Sequence, residues 1–169
     1  MTTPENLVKH FIRDYFQWNN KFSGLMSKIK DSQDSDLSSI GINELILNAN
    51  QIKNVSQYVE IKGQHAEENV ELMANADAEY KKLIEKYCCS EFQPLGASFG
   101  GNPDHHPDNE KITSVENFGN KSIVKTQNTL DYGFGKFVSD YEFHLSYENE
   151  RWYLEQIFYV TDEGRYECL

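Results

Sequence analysis

The chain has 169 residues, and its 16 Lys and Arg against 27 Asp and Glu leave a formal net charge of -11. That length suits one domain with a single core, and that charge disfavours nucleic acid and anionic membrane surfaces, which need basic residues to neutralise them. No apolar run is long enough to cross a bilayer. The polar start Met1-Thr2-Thr3-Pro4-Glu5-Asn6 carries no basic region followed by an apolar one, so no signal peptide is read and the cytoplasm is expected.

Hydrophobic residues make up only 38% of the chain, so the 10 Phe, 10 Tyr and 2 Trp must carry much of the core. The three cysteines, vicinal Cys88 and Cys89 and the penultimate Cys168, do not form a disulfide framework. They read as buried or half-buried free thiols. The charge is uneven: from Phe137 to Leu169, eight acidic residues face only Arg151 and Arg165. An acidic protein of this kind suits a basic partner through electrostatic steering, with plain solubility as the alternative.

The first helix is capped by Thr3 with Pro4 at its first position. Leu7, Val8, Phe11, Ile12, Tyr15 and Phe16 form its apolar face, and Phe22, Leu25, Met26 and Ile29 continue it to about Lys30. The polar stretch from Asp31 to Asp36 is expected to end it. Ile42 to Tyr58 reads as one or two helices through Leu45, Ile46, Ala49, Ile52 and Val55, with a strand over Val55–Ile61 as the alternative. His65 to Cys88 is a stronger helix, with Val70, Met73, Ala76, Tyr80, Leu83, Ile84 and Tyr87 on one face.

Pro94 to Pro107 holds three of the four prolines and reads as a loop. Beyond it the period becomes two. Lys111–Asn117 and Lys121–Thr126 flank a Gly119-Asn120 turn. Tyr132-Gly133-Phe134-Gly135 reads as a further turn. Phe137, Ser139, Tyr141, Phe143, Leu145 and Tyr147 alternate with Val138, Asp140, Glu142, His144 and Ser146, a half-buried antiparallel strand. Glu148-Asn149-Glu150 turns into the partner strand Trp152–Val160. Asp162-Glu163-Gly164 is another turn, and Tyr166–Leu169 a short tail. Helices first and antiparallel strands afterwards make a single α+β domain over residues 1–169, its sheet wrapped around the first helix.

Asp104-His105-His106-Pro107-Asp108 has ligand-type residues, but adjacent histidines point apart and the prolines stiffen the segment. It reads as a solvated loop and not a metal site. Asp140, Glu142 and His144 occupy the polar phase of their strand, so exposure is expected. His10 and His65 are single helix residues. No phosphate loop, dinucleotide fingerprint, nucleophile elbow, zinc helix or redox cysteine pair occurs. No catalytic residue and no cofactor is assigned, and binding is favoured over enzymatic chemistry.

Several segments carry a resemblance. Ala78-Glu79-Tyr80-Lys81-Lys82-Leu83-Ile84-Glu85-Lys86-Tyr87-Cys88, then Ser98-Phe99-Gly100 with Pro103-Asp104-His105-His106-Pro107, then Tyr141-Glu142-Phe143-His144-Leu145, Arg151-Trp152-Tyr153-Leu154 and Asp162-Glu163-Gly164-Arg165-Tyr166-Glu167-Cys168-Leu169 together resemble the NTF2-fold immunity proteins of bacterial polymorphic toxin systems. The likeness covers residues 75 to 169. It implies an NTF2-like cone and a protein that binds and neutralises a cognate toxin domain, with no catalytic residue to carry over. On that reading the partner is a basic toxin domain. Contacts are expected at the acidic turns and neighbouring aromatics: Glu148, Glu150, Trp152, Asp162 and Glu163, with Asp104 and Asp108. A pocket enzyme or small-molecule binder on the same fold is the alternative. A homodimer is compatible with immunity.

Overall fold

The computed structural model describes residues 2–40, 49–94, 99, 105–131 and 133–168. Helix α1 covers Pro4–Ser38 and helix α2 Ala49–Tyr87. Strands β1 (Glu110–Phe118), β2 (Lys121–Asp131), β3 (Lys136–Glu148), β4 (Arg151–Thr161) and β5 (Gly164–Glu167) follow. They form one open sheet in the order β1-β2-β3-β4-β5, every neighbour antiparallel. Register shifts between Ile112 and Ser114 and beside His144 and Leu145 bend it. The architecture is therefore α+β.

Thr3 caps α1 as expected: its hydroxyl accepts from the Asn6 N–H at 3.2 Å. The helix does not stop at the polar stretch after Lys30 but runs to Ser38. Two interactions hold that stretch helical. The Asp36 carboxylate meets His65 of α2 at 3.1 Å, and the Ser38 and Ser39 hydroxyls donate to the Ser35 and Asp36 carbonyls at the helix end.

Of the Ile42–Tyr58 segment, residues 42–48 lie outside the described residues. Val55–Ile61 belongs to α2 and is not a strand. The buried stripe of α2 runs through Leu72, Ala76, Tyr80, Leu83 and Tyr87, whereas Val70 and Met73, expected on that face, are exposed. The reason is angular: at about 100° per residue Leu72, Ala76, Tyr80, Leu83 and Tyr87 fall within about 80° of one another, and Met73 and Val70 lie about 60° and 120° round from the middle of that stripe.

The core lies where α1 meets both α2 and the sheet. The Phe11 ring packs edge-on to Tyr87 of α2 at 5.6 Å and to Phe143 of β3 at 6.3 Å. The Trp18 indole N–H donates to the buried Ala76 carbonyl at 3.0 Å. Asp14 accepts from the Tyr87 hydroxyl at 2.5 Å and from Lys86 at 2.8 Å, fastening α1 to the end of α2. Tyr141, Phe143 and Leu145 of β3 face this core, as their alternation predicts, but Phe137 lies beyond the helices and is exposed.

The Gly119-Asn120, Glu148-to-Glu150 and Asp162–Glu163 turns form where expected. The tail over Tyr166–Leu169 is overturned in part. Gly164–Glu167 is a fifth strand, because the turn at Asp162–Glu163 folds the chain onto the open hydrogen-bonding edge of β4, pairing Tyr159 with Tyr166.

Candidate functional site

The acidic positions fall into separate places. Glu148 and Glu150 are exposed on the β3–β4 turn, where Asn149 and Glu150 hold φ of 49° and 63°. Two consecutive left-handed residues are what the twist of a two-residue hairpin turn demands. Trp152 beside them is half-buried, packed on the core and on Tyr147 at 5.1 Å between ring centres. Asp162 and Glu163 are exposed at the other end of β4, about 30 Å away along the strand. Asp108 is exposed in the turn before β1, and its backbone N–H donates to His106 Nδ1. Asp104 lies outside the described residues. Among the described residues, none of Glu148, Glu150, Asp162, Glu163 and Asp108 forms a salt bridge.

His105 is not solvated, contrary to the sequence reading. Its ring is fully buried, stacked near Tyr141 at 4.5 Å and Phe143 at 5.3 Å, with Tyr15 edge-on at 5.8 Å. Nδ1 lies 2.8 Å from Glu110 Oε2, and both side chains are 0% exposed. The other Glu110 oxygen accepts from the Thr126 hydroxyl. A carboxylate acceptor assigns the ring proton to Nδ1 and leaves Nε2 as the outward nitrogen. That Nε2 is buried and has no hydrogen-bond partner among the described residues. His106 instead packs on Phe16 at 4.2 Å, so the two adjacent rings do point apart. This dyad was missed because no motif joins His105 to Glu110. The available signal was phase: Glu110, Thr126 and Asn128 are polar residues on strand positions that face inward.

Glu142 is a second correction. It sits on the polar phase of β3, yet is only 5% exposed. Arg165 of β5 covers it at 2.7 Å, with His144 at 3.3 Å and Lys125 of β2 at 3.8 Å. Burial pushes the carboxyl up, but the hydrogen bonds from Arg165 and His144 and the charge of Lys125 outweigh it, and its pKa is lowered. Once β5 is a strand, a residue on the face away from the helices gains cover from its neighbour. His144 is half-buried and Asp140 is exposed.

Two open grooves complete the surface. One, of about 640 Å³, separates α1 from β1 and is lined by Lys9, His10, Arg13 and Lys111 as well as Glu5 and Glu110. The other, of about 570 Å³, runs along Tyr80, Ile84, Cys88, Cys89 and Phe92. The Cys88 thiol is buried and the Cys89 and Cys168 thiols are half-buried, as the sequence implied. Burial pushes the Cys88 thiol far up, which makes it inert as a nucleophile. Among the described residues no cluster of three metal-binding side chains occurs, and no helix is long and apolar enough to cross a membrane. No family model matches the chain, and no curated protein and no solved structure matches it either.

Proposed function

We propose that this chain is an immunity-type inhibitor that binds and neutralises a basic cognate toxin domain by protein–protein contact, on an NTF2-like cone. The observation that carries the reading is the charge of the exposed turns. In a chain of net charge -11, Glu148, Glu150, Asp162 and Glu163 stand at or beside hairpin turns, exposed and outside any salt bridge among the described residues. Carboxylates held at turn tips add little to folding, since exposed charges contribute weakly to stability. They do raise the encounter rate with a cationic partner and reject anionic ones. The resemblance of residues 75 to 169 to NTF2-fold immunity proteins supports the same reading.

The test is co-expression with the toxin domain encoded immediately upstream. Rescue of growth with a stable co-purifying complex is the expected result. A toxic neighbour that kills regardless, with no complex formed, rejects the reading.

A second reading, a small-molecule binder or pocket enzyme on the same fold, is favoured by one observation. The His105–Glu110 pair is arranged as a base dyad, with a buried Nε2 that has no hydrogen-bond partner among the described residues. It is tested by a metabolite screen read by thermal shift. A hit that survives in the wild type and vanishes in His105→Gln favours it.

A further inference from the structure

We propose that the partner docks on the end of the sheet formed by the β2–β3 connection and the β4–β5 turn, and that what it presents there is an arginine- or lysine-rich surface. This rests on the protein-binding reading above and names the face it uses.

The register brings this end together. Leu130 pairs with Phe137 and Asp131 with Lys136, closing β2 onto β3. Asp140 pairs with Val160 and Thr161 with Gly164, which sets the β4–β5 turn beside them. Two aromatic side chains stand here in the open: Phe134 is 84% exposed and Phe137 52%. Phe134 and Phe137 pack edge to face at 6.2 Å, so they form one raised aromatic knob. Tyr166 lies opposite Tyr159, whose ring continues inward to Tyr141 at 5.6 Å. The Tyr159 ring is tied to the core through Tyr141, and the Phe134–Phe137 contact holds the knob together before a partner arrives.

The opposite end is built differently. There Tyr147 and Trp152 pack against each other, half-buried, and Phe118 stands exposed on the neighbouring turn. The acidic turn at Glu148 and Glu150 has charge but no exposed Tyr or Trp anchor. Interfaces draw their affinity from a few aromatic anchors ringed by polar groups, and the β2–β3 end has that composition.

The charge around the knob selects the occupant. Exposed Asp131, Asp162 and Glu163 lie on the strand end and the turn beside it, against Lys136. Exposed ring faces attract guanidinium and ammonium groups, and arginine also pairs carboxylates through two parallel N–H bonds. A purely apolar partner would desolvate these carboxylates without pairing them. Nucleic acid would be repelled. A second copy of the chain meeting this face about a two-fold would place the same carboxylates against each other.

The experiment uses the full chain and two probes. Against the upstream toxin domain, Phe134→Ala with Phe137→Ala is expected to weaken binding about 30-fold. Asp162→Lys with Glu163→Lys is expected to slow association about 10-fold at low salt and to flatten its salt dependence. Glu67→Lys with Glu71→Lys, on the exposed side of α2, is expected to stay within about threefold of the wild type. Wild-type affinity in the first two variants, or a larger loss in the third, overturns the proposal. Circular dichroism checks that each variant is folded. A toxin that wild-type protein does not bind rejects the immunity reading instead. The face is then decided by the second probe, a nona-arginine peptide titrated into labelled protein and followed by NMR. Shifts centred on Phe134, Phe137, Asp162 and Glu163 support it. Shifts centred on Glu148–Arg151, scattered shifts or no shifts overturn it.

Discussion

His105 Nδ1 and Glu110 Oε2 are 2.8 Å apart, with both side chains wholly shielded from solvent. The pair joins the loop before β1 to the inner face of the sheet, and Thr126 of β2 adds a third member. Removing one partner of a buried polar pair leaves the other without water or a mate. Glu110→Ala is therefore expected to destabilise the fold by about 3 kcal/mol. Thr126→Val, which removes a single donor, is expected to cost about 1 kcal/mol. Urea titrations of the two variants check this. Equal small losses would mean that the cluster contributes nothing beyond packing.

Asp14 is the acid-sensitive tie between the helices. Burial pushes its carboxyl up, but hydrogen bonds from Lys86, Tyr87 and Arg13 outweigh that and bring it from 3.8 down to about 2. A depressed carboxyl contributes stability above its unfolded pKa and loses it as pH falls through the folded one. The contribution is about 2 kcal/mol at neutral pH and disappears between about pH 4 and pH 2. Asp14→Asn is expected to lose that amount at pH 7 and to flatten this part of the stability profile. An unchanged acid slope in the variant would place the sensitivity elsewhere.

His65, in the middle of α2 and facing the C-terminal end of α1, makes the opposite prediction. Its two ring nitrogens face Glu68 at 2.8 Å and Asp36 at 3.1 Å. The Glu68 hydrogen bond raises its pKa above the usual 6.5, burial opposes this, and Asp36 adds to the rise. A raised histidine contributes fully below its unfolded pKa and loses that contribution as pH climbs through the folded value. Amide exchange in the last turns of α1 is expected to gain protection at pH 6 relative to pH 9 beyond the intrinsic rate change. His65→Gln is expected to remove the difference. Its persistence in that variant would rule out the histidine as its source.

Glu150 occupies a left-handed backbone position, φ 63°, in which a glycine is free of the Cβ penalty. Glu150→Gly is expected to stabilise the protein by about 1 kcal/mol, read as a higher melting temperature. A lower melting temperature would show that the Glu150 side chain contributes more to the fold than its backbone costs.

By itself the sequence determined the local structure. Thr3 and Pro4 start α1, the turn residues sit between the strands, and the alternation through Tyr141, Phe143 and Leu145 marks the inward face of β3, because capping, turn formation and side-chain period act over a few neighbouring residues. Tertiary structure decided what depends on a neighbour across the fold. It carried α1 past its polar stretch through Asp36 and His65, made a strand of the tail by pairing it with β4, and covered Glu142 with Arg165. It also buried His105 beside a glutamate that no motif links to it. Burial is set by what packs on a residue from elsewhere in the chain, and a linear pattern does not contain that distance.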